Sequence, residues 1–232
     1  MSANYSNLIL FGGIFHEFEA TSMAVADILK PLGVSSRLES DITAGVAALE
    51  HEPVNLVTVN ALRWQMLGEK YDPYRDTEAY SPPERVKRGL RKHVEAGGAI
   101  LGLHTASICF SDWPEWGDLL GGHWTWGSSW HPQPESIAVT PVSGSLLHGV
   151  KPFSVTDELY TDLTISPDST VLALGCSDSV GTAQPVMWSQ EVGAGRVVYS
   201  ALGHDAQSLN EPNHRASLQQ LVRWALRQEI AA

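Results

Sequence analysis

The sequence predicts an α/β fold: a mostly parallel sheet covered by helices on both faces, with antiparallel strands added in the carboxyl half. Three observations carry this reading. Short apolar runs alternate with segments of helical period through the first hundred or so positions. One such run, Ala99-Ile100-Leu101-Gly102-Leu103, is flanked by glycines and breaks abruptly into His104-Thr105-Ala106-Ser107, as a buried strand entering a tight turn does. Beyond Ile137 short strands follow one another around a glycine turn.

Leu8 to Phe11 reads as the first buried strand, and Gly12-Gly13 with His16 as the loop after it. The helix that follows carries Val25, Ile28, Leu29 and Leu32 on one face, with Gly33 at the left-handed cap position. Val34 to Leu38 is the next strand, Asp41 to Leu49 a second helix, and Leu56 to Val59 a third strand. Ala61 to Tyr80 reads as a long polar excursion spotted with Trp64, Tyr71, Tyr74 and Tyr80, suited to a lid or a subunit contact. The spacing then predicts a helix capped by Ser81, with Pro82 in its first turn, Glu84 closing a capping box, and Val86, Leu90 and Val94 inward. It delivers the chain to the strand ending at His104, a strand-turn-helix junction of nucleophile-elbow type. Ile137 to Val142, Val171 to Leu174, Pro185 to Trp188 and Arg196 to Ser200 are the later strands, and a closing helix buries Leu218, Leu221, Val222 and Ala225. No repeat or linker interrupts residues 1–232, which are expected to form a single domain.

Composition narrows the function. A net charge of -11 disfavours nucleic acid and anionic membrane as partners, because phosphate-binding faces need clustered Lys and Arg. No apolar run reaches the length of a transmembrane helix, two cysteines make no disulfide framework, and the amino terminus lacks an export pattern, so a soluble, cytoplasmic protein is expected. Five of the eight tryptophans, Trp113, Trp116, Trp124, Trp126 and Trp130, crowd one glycine-broken interval with His123 and His131. Singly each ring reads as core packing. As a cluster they suit the wall of a sugar site, where ring faces stack and edges hydrogen-bond.

The succession Gly-Leu-His-Thr-Ala (102–106), Gly-Gly-His (121–123), His131-Pro132, Asp157-Glu158-Leu159-Tyr160, Gly-x-Gly-Arg-Val-x-Tyr (193–199) and Leu-Gly-His-Asp (202–205) resembles the trehalose-utilisation (ThuA-like) family. The likeness runs from Leu8 to Trp224. It implies a flavodoxin-like, class I glutamine amidotransferase-like three-layer sandwich with His104 where a glutaminase carries its nucleophilic cysteine. Cys109 falls five residues later, expected inside the next helix and pointing elsewhere. A glutaminase is therefore not expected. The family's similarity to proteins that work beside a sugar dehydrogenase implies acid-base chemistry, isomerisation or cleavage, on an oxidised keto-sugar or disaccharide.

Imidazoles and carboxylates are left to carry that chemistry. The expected catalytic residues are His104, His204, Glu158 and Asp205, with His16, Trp124, Trp126, His131 and Tyr160 binding substrate. His16 reads equally as a loop hydrogen bond, Glu158 and Asp205 read also as helix or turn caps, and His131 also as a surface residue. No cofactor is required by this set, although histidines with a carboxylate would also suit a divalent metal such as zinc; no His-x-x-x-His or paired-cysteine spacing fixes one. A non-catalytic sugar-binding or regulatory protein is the alternative. The partner is a small sugar, and aromatics of the Ala61 to Tyr80 excursion suit a homo-oligomer.

Overall fold

A computed structural model describes residues 5–228. In chain order the elements are β1 (Tyr5–Gly13), α1 (Phe18–Leu29), β2 (Val34–Glu39), α2 (Ile42–Ala48), β3 (Leu56–Leu62), α3 (Asp72–Glu78), α4 (Glu84–Glu95), β4 (Ala99–Leu103), α5 (Glu115–Leu120), β5 (Gly122–His123), β6 (Glu135–Pro141), β7 (Phe153–Asp157), β8 (Thr164–Ile165), β9 (Thr170–Cys176), β10 (Gln184–Val192), β11 (Gly195–Ser200), α6 (Ala206–Leu209) and α7 (Pro212–Ala225). Nine strands make one sheet in the order β2-β1-β3-β4-β11-β10-β9-β6-β7, and β5 pairs with β8 apart from it. From β2 to β11 all neighbours are parallel, and from β11 to β7 all are antiparallel. This is the flavodoxin-like, amidotransferase-like architecture.

The central strands β3 and β4 are buried at every residue, as strands covered on both faces must be, which is why they read as largely apolar runs. Helix α1 ends in a 3-10 turn closed by Gly33 in the left-handed region (φ 73°), and Asp41 caps α2 by accepting from the Thr43 and Ala44 amides. At the end of β1, Gly13 (φ 127°) lies so close to β3 that a Cβ would sit 2.4 Å from the Leu62 carbonyl oxygen. Only glycine lets the strand turn there towards His16.

Three expectations need correction. Helix α4 begins at Glu84 with Pro83 as its cap residue, and Ser81 makes no capping bond. The second proline explains this: it disfavours helical geometry at Pro82 and offers no N–H for a Ser81 cap to bind. Ala61 to Tyr80 is not a bare excursion; it completes β3 and then holds a 3-10 turn and α3, with Pro73 in the first turn of that helix. Arg75 fastens this segment by donating to the Met66 and Gly68 carbonyls, while Trp64 and Met66 pack with Phe18 and Leu62. Only a 3-10 turn, His104–Ser107, follows β4, so Cys109 lies beyond it in irregular chain rather than inside a helix. Trp113 and Trp116 are buried in the core and also line a cavity with Trp124 and Trp126; Trp116 donates from its indole to the Ala106 carbonyl.

The antiparallel arm matters most for the site. Strand β7 stands four places from β11, roughly 19 Å along a flat sheet at normal strand spacing. Yet the Asp157 carboxylate at its end accepts from the Gly203 amide, just past β11, at 2.8 Å. The arm therefore curls over until the end of β7 meets the carboxyl ends of the parallel strands. No helix among the described residues is long and apolar enough to cross a membrane.

Candidate functional site

Four loops converge at the carboxyl edge of the parallel sheet, the edge at which open α/β folds hold ligands. His16 follows β1, His104 follows β4, His204 follows β11 and Glu158 follows β7. Because β4 and β11 are adjacent and in register at Leu103 and Ser200, His104 and His204 leave the sheet side by side. The three imidazole centroids lie 4.8 to 5.7 Å apart. Glu158 Oε2 sits among them, 3.3 Å from His104 Nε2, 3.4 Å from His204 Nδ1 and 3.7 Å from His16 Nε2.

His104 is held from several sides. Its backbone is in the left-handed region (φ 46°), a strained conformation for a non-glycine residue, at the point where the ring leaves the strand end to face Glu158. Tyr199 secures the strained turn by donating to the His104 carbonyl at 2.6 Å, and it contacts Ser107 Oγ at 2.9 Å. The ring nitrogen Nδ1 is 2.6 Å from the Ala201 carbonyl oxygen. A carbonyl only accepts, so Nδ1 carries a proton and donates it there, leaving Nε2 as the ring atom that faces Glu158. Tyr160 stacks on the ring, with its hydroxyl 3.1 Å from Nε2.

Glu158 is positioned through its neighbour. Asp157, fully buried, accepts from the amides of Glu158 (2.8 Å), Gly203 (2.8 Å) and His204 (3.3 Å) and from the Ser208 hydroxyl. Gly203 can aim its amide at Asp157 because it adopts φ 122°, open to glycine alone. Sequence reasoning quoted Asp157 in a motif without giving it a role. Its inward place in the alternation Phe153, Val155, Asp157 was the available signal. Tyr199 was missed for a similar reason, as an aromatic in a strand whose hydroxyl happens to face the turn.

Burial pulls the Glu158 pKa up, but the contacts with His104, His16 and His204 overcome it and hold the carboxyl far below the ordinary carboxylate range. Burial depresses the His16 pKa, whereas the Glu158 carboxylate raises that of His204. Despite their proximity to Glu158, His16 Nε2 and His204 Nδ1 have no hydrogen-bond partner among the described residues.

The other expected site residues fall into three groups. Tyr160 and His131 stand beside the cluster, His131 Nδ1 being 3.7 Å from Glu158 Oε1. Trp124 packs edge-on to Tyr160 at 5.2 Å and continues to Trp126, which is half exposed and stacks on Trp64. Trp124 and Trp126 also line a cavity with Trp113, Trp116 and His123, on which none of the four cluster residues opens. Asp205 is not brought into the cluster: its carboxylate caps α6, accepting from the Ser208 amide at 2.8 Å. Cys109 is buried with its thiol pushed up to about 12 by burial, and it donates to the Ala61 carbonyl.

The arrangement can do two kinds of chemistry. It can pass protons between imidazole and carboxylate, and it offers three ring nitrogens and one carboxylate oxygen, all within 4.8 Å of one another, to a cation.

Among solved structures, a ThuA-like protein from Parabacteroides merdae ATCC 43184 is similar with a TM-score of 0.76 and 18% identity, over 99% of this chain and 92% of that one. A ThuA-like protein from Bacteroides uniformis ATCC 8492 follows with a TM-score of 0.66 and 17% identity, over 95% of this chain and 91% of its own. The β-galactosidase of Rahnella sp. R3 is similar over 98% of this chain but only 32% of its own length, with a TM-score of 0.61 and 15% identity. Comparison with curated protein sequences gives no match. The sequence profile of the trehalose-utilisation family (ThuA) matches residues 10–225, and the chain belongs to that family.

Proposed function

We propose that this trehalose-utilisation protein is an enzyme that processes an oxidised, keto form of a sugar or disaccharide, with the His104–His204–Glu158 corner as its reaction centre. The observation that carries the reading is the placement of one carboxylate oxygen within 3.7 Å of three imidazoles drawn from three different loops. A ketone on a sugar ring acidifies the C–H bond beside it. Removing that proton sends the C–H electron pair into an enolate, and the charge gathers on the carbonyl oxygen. The corner serves both needs, with nitrogen lone pairs to accept the proton and a dense set of polar groups around the oxygen. Reprotonation at the other carbon isomerises the sugar, and expulsion of a substituent from the carbon next to the carbanion centre releases the glycosidic partner. Trp124 and Trp126 supply apolar faces for a ring, with Tyr160 and His131 at the polar edge. His16 completes the cluster, and Asp205 contributes by fixing α6 rather than by touching substrate.

No thiolate enters this scheme. Cys109 is 3% exposed with its pKa raised to about 12, which supports a chemistry without a cysteine nucleophile or glutaminase activity. Exposed apolar side chains at Phe15, Leu67 and Tyr74 support a homo-oligomer.

The test is incubation of the protein with a disaccharide and with its keto derivative in deuterated buffer, followed by NMR. Expected are deuterium incorporation beside the ketone and product from the keto form alone, both lost in His104→Ala and His204→Ala variants that remain folded. Saturable binding without exchange or product would make the protein a sugar-binding module. An active double variant would remove the imidazoles from the mechanism.

A further inference from the structure

We propose that His16, His104, His204 and Glu158 form a binding site for a divalent transition-metal cation, zinc being the type best matched to three imidazoles and one carboxylate. The spacing is the first argument. Metal–nitrogen and metal–oxygen bonds of about 2.1 Å in a tetrahedron keep donor atoms roughly 3.4 Å apart. Glu158 Oε2 lies 3.3, 3.4 and 3.7 Å from the ring nitrogens of His104, His204 and His16, and no two donors of the set are further apart than 4.8 Å. The atoms stand at the edges of a coordination shell before any cation draws them in.

Tautomers are the second argument. Metal-bound histidines typically donate their other ring N–H to a carbonyl or carboxylate, which aims the free lone pair at the metal. His104 does this through Nδ1 to the Ala201 carbonyl at 2.6 Å, and His16 Nδ1 faces the Ile14 carbonyl at 3.5 Å. Both Nε2 atoms therefore point inward as acceptors. His16 Nε2 and His204 Nδ1 are buried without any hydrogen-bond partner, and the His16 side chain is only 8% exposed. Buried polar nitrogens are seldom left so.

Charge is the third. The Glu158 carboxylate puts one anionic oxygen within 3.7 Å of a nitrogen on each of the three imidazoles, a donor set of one anion and three nitrogens. One divalent cation supplies the positive charge that all four donors call for. The site does not depend on the sugar reading, but its use there rests on it: the cation would take the charge of the enolate oxygen. The proton-accepting role would then fall to His131, whose Nδ1 donates to the Pro132 carbonyl at 2.9 Å and leaves Nε2 free.

The test uses full-length, tag-free protein purified without chelator. Elemental analysis should find close to one equivalent of a transition metal per chain. After chelator treatment, titration with Co²⁺ should give ligand-field absorption bands, and added Zn²⁺ should raise Tm. His16→Ala and Glu158→Gln should each weaken Zn²⁺ binding tenfold or more. His204→Ala, on a more accessible loop, guards against loss by misfolding and should do the same. Substoichiometric metal together with no Co²⁺ bands and no Zn²⁺-dependent rise in Tm would overturn the site. Full keto-sugar turnover by metal-free protein would overturn the cation's part in the reaction while leaving the proposed function standing. A bound metal without turnover of any keto-sugar would do the reverse.

Discussion

Replacing Asp157 by asparagine tests the idea that one buried carboxylate holds the site together. In the native protein its two oxygens receive the Glu158 and Gly203 amides, each at 2.8 Å, and the Ser208 hydroxyl, with the His204 amide more distant. Asparagine keeps one accepting oxygen and turns an NH2 group towards the remaining donors. The Gly203 N–H is then left unsatisfied, which costs roughly 1–3 kcal/mol, and the surviving bonds lose the charge that strengthened them, about 1 kcal/mol more. The expected loss is about 2–4 kcal/mol. For a chain of this size that lowers Tm by roughly 4–16 °C, measured by calorimetry, with the loss itself read from urea unfolding. Ser208→Ala removes a donor and leaves the carboxylate its amides, so it should cost only about 1 kcal/mol. Below its Tm, Asp157→Asn should also lose activity and metal, because Glu158 and His204 are both aimed through it. A loss of less than 1 kcal/mol with a working site would refute the clamp, as would Ser208→Ala matching Asp157→Asn.

Two further outcomes follow from burial. His93, whose Nε2 is 3.1 Å from the Ala99 carbonyl oxygen, has its pKa lowered by burial. The unfolded chain therefore binds this proton more readily than the folded one: stability is fully present above about pH 6.5 and falls from there as the pH drops towards the depressed folded value. His93→Gln should flatten the fall between pH 6.5 and 5 in urea titrations; an unchanged slope would show that His93 titrates normally. Cys176 is partly accessible while Cys109 is buried with its pKa at about 12, so a thiol-specific chromophore at neutral pH should label one cysteine quickly and the second only on unfolding. Rapid labelling of two would contradict the burial.

The parallel half of the fold was readable because its strands are covered on both faces. Leu8 to Phe11 and Ala99 to Leu103 are unbroken apolar runs, Leu56 to Val59 is interrupted only by Thr58, and helix α1 shows its period in Val25, Ile28 and Leu29. Strand β7 escaped notice because its inward face ends on a carboxylate, so the alternation Phe153, Val155, Asp157 lacks a third apolar residue. The start of α4 is not legible at Ser81 because Pro83, directly after Pro82, takes away both the helical geometry and the N–H that a Ser81 cap would use. Helix α3 hid among polar residues, since it buries no side chain and is tied down through Arg75. Of the site, His104 and His204 were legible as large polar residues where apolar strands stop. The curl of the antiparallel arm was not legible, because it depends on contacts between segments far apart in sequence.

That curl decides which of several carboxylates becomes chemically available. Asp157 and Glu158 are consecutive and both largely buried, yet they face opposite surroundings. Asp157, on the inward side of β7, meets only amides and a hydroxyl, groups that hold a carboxylate in place. Glu158, one residue on and turned the other way, meets imidazoles with lone pairs or protons to exchange. Asp205 had the same claim as Glu158 when judged by its neighbour His204, but an aspartate directly before a short helix satisfies that helix's amides and is spent there. Residue type and proximity to a histidine therefore do not identify the working carboxylate in this chain. What does is the kind of group that each carboxylate meets: backbone donors fix Asp157 and Asp205 as structural anchors, and the strained turn at His104 gives Glu158 a partner that can change its state.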